Sequence, residues 1–91
     1  MSNVYRNKTS FYATYTSGIF NAFYATEAEA IKHIENPENG AEFNGTWFQD
    51  RYMKFSPKET VLVNNIVYSS NSNDAICHKD SLHFVEWELA E

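Results

Sequence analysis

The chain has 91 residues, 43% hydrophobic and 16% aromatic, with a formal net charge of −5. This length predicts a single domain, residues 1–91, and the apolar content is too high for a disordered chain. One cysteine, Cys77, excludes an internal disulfide and a multi-cysteine zinc site, and it favours a reducing cytoplasm. We expect no signal peptide and no membrane span, because no apolar run is long enough.

Residues 1–8 are polar and predict a frayed N-terminus or a short lead-in to the first strand. Strands at about 9–16 and 19–25 then surround a two-residue turn at Ser17-Gly18. This turn fixes a register, which a one-residue slip would destroy. The predicted apolar face pairs Tyr15 with Phe20, Ala13 with Ala22 and Phe11 with Tyr24. The more polar face pairs Thr16 with Ile19, Thr14 with Asn21 and Tyr12 with Phe23.

A short helix is predicted over 27–35. Thr26 and Glu29 form a capping-box pattern, and Asn36-Pro37 ends the helix because the residue before proline avoids the helical region. We expect its isoleucines to pack on the apolar face of the hairpin. His33 is expected to be an ordinary exposed side chain.

The segment after the helix contains the turn dipeptides Asn39-Gly40 and Asn44-Gly45, so residues 36–46 are predicted to be a loop. Trp47 and Phe48 are interpreted as apolar anchors beneath this loop. A strand is predicted near 51–55, with a helical turn over 47–52 as the alternative.

Two interpretations fit the next segment. Ser56 and Glu59 form a second capping-box pattern, which allows a helix over 57–67. The residues that follow are largely β-branched, and they favour a strand over 60–68 that an Asn64-Asn65 turn interrupts.

Near the C-terminus, Ala75–His78 and Leu82–Leu89 are predicted to form a closing hairpin around residues 79–81. The expected fold class is therefore α+β: a mostly antiparallel sheet of four to five strands with one short helix packed on it.

The strongest candidate for a catalytic or metal site is the group Cys77, His78 and His83, with Asp80 nearby. Neighbouring residues of a strand point to opposite faces, so Cys77 and His78 are not expected to meet, and the metal-ligand spacing is not that of structural zinc. Glycine-rich phosphate loops are absent from the sequence. We therefore expect that the protein is not an enzyme and that it binds no cofactor and no metal.

Charge is the most asymmetric feature of the chain. Residues 26–50 contain six acids against Lys32 alone. These acids are the candidate partner-binding residues Glu27, Glu29, Glu35, Glu38, Glu42 and Asp50. A solvated face is the ordinary interpretation of such a run, and a contact surface for a basic protein is the functional one.

The stretch FYATYTSGIFNAFYA (residues 11–25) followed by TEAEAIKHI (26–34) resembles the hairpin-and-acidic-helix layout of small phage-encoded proteins that disable host machinery, including anti-CRISPR proteins and RNA-polymerase inhibitors. The resemblance covers about a third of the chain and transfers no site residues. It implies an inhibitor that acts in the host cytoplasm.

The leading hypothesis is a small acidic, cytoplasmic protein-binding module that occludes a basic, nucleic-acid-binding surface of its partner. We expect a monomer or weak homodimer with no membrane contact. The alternative is a single-stranded nucleic-acid-associated protein that uses Tyr12, Phe23, Arg6 and Lys8, since bases stack on exposed aromatic rings.

Overall fold

The structure is a computed structural model, and it describes residues 3–90. Within that range it contains antiparallel sheets and one α-helix, so the predicted α+β class is confirmed. The strands are β1 (Tyr5–Asn7), β2 (Phe11–Thr16), β3 (Ile19–Tyr24), β4 (Gly40–Phe43), β5 (Thr46–Gln49), β6 (Arg51–Phe55), β7 (Thr60–Val63), β8 (Ile66–Ser69), β9 (Ala75–His78) and β10 (Trp87–Leu89). The helix is α1 (Glu27–Glu35), and a 3₁₀ turn spans Lys79–Leu82.

The described chain divides into two compact units. The central unit comprises residues 11–54, and the terminal unit comprises residues 3–10 and 55–90. The prediction of a single domain stays a prediction.

The predicted β2–β3 hairpin is present in the central unit, and β2 lies between β3 and β6 in a three-stranded sheet. Ser17 and Gly18 both have positive φ, at 49° and 79°, as a tight hairpin turn requires. Next to the turn the register is as predicted, with Thr16 opposite Ile19 and Tyr15 opposite Phe20.

Beyond Tyr15 the predicted register is wrong. Asn21 is an extra residue that forms a bulge, so every later pair is shifted by one. The observed pairs are Thr14 with Ala22, Ala13 with Phe23 and Tyr12 with Tyr24. They replace Thr14 with Asn21, Ala13 with Ala22, Tyr12 with Phe23 and Phe11 with Tyr24.

Helix α1 begins and ends as predicted. The Thr26 hydroxyl accepts a hydrogen bond from the Glu29 N–H at 3.3 Å, and it donates to the Glu29 carboxylate at 2.9 Å. However, His33 contacts Tyr24, which lies on the more polar face of the hairpin with Tyr12, Thr14 and Thr16. At this position the helix therefore meets that face, and the expected packing of its isoleucines stays a prediction.

The predicted loop over 36–46 is partly wrong. Asn44 and Gly45, with φ of 53° and 80°, close a hairpin of β4 and β5 that the sequence interpretation missed. Trp47 and Phe48 do not anchor a loop from beneath, since both side chains are exposed. The strand predicted near 51–55 is confirmed as β6.

The terminal unit is a five-stranded sheet in the order β10-β1-β7-β8-β9. The expectation of a frayed stretch over 1–8 is wrong for Tyr5–Asn7, because β1 pairs with β10 on one side and β7 on the other. Residues 1 and 2 lie outside the described residues. The core contains Phe55, Leu62, Val67, Leu82 and Val85.

The strand interpretation of residues 60–68 is confirmed, since β7 and β8 surround a turn in which Asn64 and Asn65 have φ of 51° and 68°. The predicted closing hairpin is wrong. Strand β9 pairs with β8 at one edge of the sheet, whereas β10 pairs with β1 at the opposite edge. After His78 the chain forms a 3₁₀ turn and not the tight turn that a hairpin needs.

Among the described residues, no helix is both long enough and apolar enough to cross a membrane.

Candidate functional site

The predicted acidic set is exposed with one exception. Glu27, Glu29, Glu35, Glu38 and Glu42 are all exposed, but Asp50 is only 5% exposed. Asp50 therefore does not share the exposure of the five glutamates, and its expected role in partner binding stays a prediction. Both oxygens of its carboxylate form hydrogen bonds inside the central unit, one with Thr16 and the other with His33.

The exposed glutamates differ in how they are bonded. Glu27 accepts a hydrogen bond from the Tyr52 hydroxyl at 3.1 Å, which raises the pKa of Tyr52, and Glu29 belongs to the helix cap. The carboxylates of Glu35, Glu38 and Glu42 form no hydrogen bond or ion pair with any part of the chain that the structure describes. We call these three residues the open carboxylates.

The open carboxylates border an unusually exposed hairpin. In β4 and β5, Phe43 is 39% exposed, Phe48 is 44% exposed and Trp47 is 50% exposed. Phe43 and Phe48 share one face and their ring centroids are 5.8 Å apart, whereas Trp47 lies opposite Glu42 on the other face. Aromatic side chains on both faces of a two-stranded ribbon are typical of a binding surface and not of a core.

Gly40 makes room for the Trp47 ring. A Cβ atom built at Gly40 would lie 2.4 Å from the backbone oxygen of Phe48 and 2.8 Å from the indole ring. Only glycine leaves room for the ring to lie across this backbone. One side of the Trp47 ring therefore lies against the backbone of Gly40, and half of its surface is in solvent.

The base of the hairpin is bonded to the end of α1. The Gln49 side-chain N–H₂ donates to the backbone oxygens of Ile34 at 2.9 Å and Asn36 at 2.8 Å. The Asn39 side chain donates to the His33 oxygen at 2.8 Å, and the Asp50 N–H donates to the Asn39 oxygen at 3.1 Å. These bonds satisfy carbonyls that a helix C-terminus leaves without partners, and they fix the hairpin beside Glu35 and Glu38.

A polar network lies beneath this base. Its six members are Thr14, Thr16, Asn21, Tyr24, His33 and Asp50. The Thr14 hydroxyl donates to the Asn21 side-chain oxygen, the Asn21 N–H₂ donates to Thr16 at 3.3 Å, and the Thr16 hydroxyl donates to Asp50. On the other side, His33 Nε2 lies 2.6 Å from Asp50 Oδ2, and His33 Nδ1 lies 2.8 Å from the Tyr24 hydroxyl.

The ionised state of Asp50 determines which groups donate hydrogen bonds to it in the network. Burial raises the pKa of this carboxyl group, but the hydrogen bonds from Thr16 and His33 outweigh burial, so the pKa is lowered below its ordinary value of 3.8. An ionised Asp50 accepts from His33 Nε2–H, and in the neutral tautomer that carries this proton Nδ1 accepts from the Tyr24 hydroxyl. Because both carboxylate oxygens and both ring nitrogens have partners, the arrangement can hold the hairpin base rigidly.

Sequence interpretation missed this network. His33 is partly buried and bonded at both nitrogens, so the expectation of an ordinary exposed histidine is wrong. Asn21 is the bulge residue, and its side chain bonds both Thr14 and Thr16. One signal in the sequence could have indicated the network: Asn21 and Asp50 are single polar residues within or between apolar strands.

The Cys77 group does not assemble into one site. Burial raises the pKa of the Cys77 thiol to about 11, which keeps it protonated at neutral pH. His78 is exposed, and its Nδ1 accepts the Asp80 N–H at 3.2 Å, whereas the His83 ring packs edge-on against Phe84 at 5.4 Å. No group of three metal-binding side chains occurs among the residues described.

The pairing expected for nucleic-acid stacking is also not formed. Phe23 lies opposite Ala13, and its ring contacts Phe11 and Phe20, whereas Tyr12 contacts Tyr52. The bulge at Asn21 places the two rings on opposite faces. Arg6 is bonded to the Lys58 oxygen at 3.2 Å and to the Ser70 hydroxyl at 2.9 Å.

A comparison of the chain with protein-family models, with curated proteins and with solved structures gives no match.

Proposed function

We propose that this protein is a non-enzymatic binding module that occupies a basic, nucleic-acid-binding surface of a partner protein, as a phage-type inhibitor does. The observation that carries the proposal is the association of three open carboxylates with an exposed aromatic hairpin. Glu42 and Trp47 are cross-strand neighbours on that hairpin, and Gln49 bonds its base to the backbone carbonyls on either side of Glu35, those of Ile34 and Asn36.

The two kinds of side chain have complementary roles in binding. Tryptophan and phenylalanine lose solvent on contact and commonly provide the largest share of the binding energy. Carboxylates accept arginine and lysine donors as phosphates do, and their potential steers a positively charged partner toward the surface. A basic partner surface that normally binds phosphates could therefore bind the open carboxylates through the same arginine and lysine donors.

Charge reversal tests the proposal. The variant Glu35→Lys/Glu38→Lys/Glu42→Lys should bind its partner about 10- to 100-fold more weakly, because favourable pairs become repulsive ones. The partner is first captured with the wild-type protein from a lysate and purified. Its affinity for each variant, and its ability to bind an oligonucleotide in the presence of the wild-type protein, are then titrated.

The matched control is Asp74→Lys/Asp80→Lys/Glu86→Lys, which makes the same change in net charge at exposed positions of the terminal unit. This control should bind almost as the wild type does. Equal weakening by both variants, or a partner that still binds its oligonucleotide when saturated, contradicts the proposal. Direct binding of the protein to single-stranded oligonucleotides with a steep salt dependence would favour the nucleic-acid alternative.

A further inference from the structure

The aromatic hairpin contains both Asn-Gly dipeptides of the chain. Gly40, which follows Asn39, is the first residue of β4, and Asn44-Gly45 is the turn between β4 and β5. Asparagine loses its amide most readily before glycine, because glycine has no Cβ to keep the asparagine side chain away from the next backbone nitrogen. The structure places the two asparagines in very different surroundings.

Asn39 is restrained by three hydrogen bonds. Its side-chain N–H₂ donates to the His33 oxygen at 2.8 Å, and its backbone N–H donates to the Asn36 oxygen at 3.0 Å. Its backbone oxygen accepts from the Asp50 N–H at 3.1 Å, which fixes the peptide group that joins Asn39 to Gly40. The carboxamide carbon of Asn39 therefore cannot reach the Gly40 nitrogen until these bonds break.

Asn44 has none of these restraints. Both residues of the turn are exposed, and neither the Asn44 side chain nor the Gly45 N–H forms a hydrogen bond with any residue between 3 and 90. A Cβ atom built at Gly45 would meet no other residue within 4 Å, so the space beside the turn is open to water. The reacting carbon and nitrogen are thus free of competing partners.

We propose that Asn44 is a site of spontaneous deamidation, with water as the only reactant taken up. The Gly45 backbone nitrogen attacks the Asn44 carboxamide carbon, and the side-chain nitrogen leaves as ammonia, carrying the proton that the Gly45 nitrogen gives up. The product is a five-membered succinimide ring. Water then adds to either ring carbonyl, the bond from that carbon to the ring nitrogen breaks, and the nitrogen regains a proton.

The two ring-opening products act differently on the hairpin. Each adds one negative charge to the turn, and aspartate keeps the backbone length and tolerates positive φ. Isoaspartate routes the chain through the side-chain carbon, which lengthens the turn by one backbone atom. A two-residue turn that pairs Phe43 with Thr46 cannot keep its register with that addition, so isoaspartate opens the hairpin. The reaction does not depend on the proposed partner.

Peptide mapping after incubation of the folded 91-residue chain at mildly alkaline pH tests the proposal. A glutamyl endopeptidase at mildly acidic pH, where the reaction is slow, cleaves after Glu38 and Glu42, so Asn39 and Asn44 fall in different peptides. Mass spectrometry then measures the conversion of each, and electron-transfer fragmentation separates aspartate from isoaspartate. Asn44 should convert more than about tenfold faster than Asn39, because three hydrogen bonds must first break at Asn39.

The matched control is the same protein unfolded in guanidinium chloride, in which both asparagines are unrestrained and should convert at similar rates. Equal rates in the folded protein would overturn the proposal, as would an Asn44 that keeps its amide when folded and loses it when unfolded. A preference for Asn44 that is just as large in the unfolded chain would also overturn it, because the fold would then not select the site.

Discussion

Asn7 is a polar residue that is completely buried, and every hydrogen-bonding atom of its side chain has a partner. The Asn7 oxygen accepts from the Thr60 N–H at 3.0 Å and from the Thr60 hydroxyl at 2.7 Å. Its N–H₂ donates to the backbone oxygens of Thr9 at 3.1 Å and Ser56 at 2.9 Å. One side chain therefore joins β1 to the start of β7 and to the turn before it, and a fully satisfied buried group of this kind favours a single arrangement.

Replacement of Asn7 by alanine should lower the free energy of unfolding by about 3 kcal/mol, because buried groups of Thr60, Thr9 and Ser56 lose their partners. Chemical denaturation measures this change. Asn73→Ala, at an exposed loop position, is the control and should change stability by less than about 0.5 kcal/mol. A loss at Asn7 no larger than at Asn73 would show that the bonds are not important for stability.

Asp50 gives the central unit a dependence on acid. Its pKa is lower in the folded protein than its ordinary value of 3.8, so its contribution to stability is present above that pH and is lost as the pH falls through the folded pKa. The free energy of unfolding of the wild type should therefore exceed that of Asp50→Asn at pH 6, and the difference should shrink at pH 3. Urea denaturation at both values measures it. A difference that stays constant would mean that the carboxylate is not specifically stabilised.

At the scale of elements, tight turns and one side-chain cap determine where strands and helix begin and end. Ser17-Gly18, Asn44-Gly45 and Asn64-Asn65 each place two residues at positive φ, which gives the backbone twist that two-residue hairpins need. The β4–β5 hairpin has few buried side chains of its own. Its conformation depends on the turn, on Gly40 beneath Trp47 and on the bonds that Gln49 makes with α1.

Gly40→Ala tests this dependence, because the added Cβ meets the backbone oxygen of Phe48 and cannot be relieved by a side-chain rotation. The hairpin should open locally, and the unfolding free energy should fall by about 1–3 kcal/mol. Trp47 fluorescence, recorded in a Trp87→Phe background, should shift to longer wavelength. Thr46→Ala, an exposed site on the same hairpin, should leave both unchanged. An unaltered Trp47 spectrum in Gly40→Ala would show that the glycine is not required.

At the scale of the whole molecule, local signals in the sequence predicted much of the fold. The capping box at Thr26 and Glu29, the Ser17-Gly18 turn and the β-branched run after Glu59 each concern residues close in sequence, and each was correctly interpreted. Errors arose where a partner is distant. The pairing of β1 with β10 and of Asp50 with His33 depends on tertiary packing, for which no local pattern exists.

In the candidate site, too, local features could be predicted from the sequence, and features that depend on distant residues could not. The exposed glutamates were predictable from charge, because an isolated carboxylate rarely enters a core without a partner. Asp50 breaks that rule only because Thr16 and His33 provide partners. The aromatic hairpin was missed because Asn39-Gly40 suggested a turn, whereas Gly40 is the first residue of a strand and gives space to Trp47.

The most direct test of the proposed contact surface is amide hydrogen exchange of the protein with and without its purified partner. Residues 35–49, which contain the open carboxylates and the aromatic hairpin, should become protected on binding, while β7–β9 exchange at unchanged rates. Protection confined to β7–β9, or binding with no new protection over 35–49, would contradict the account.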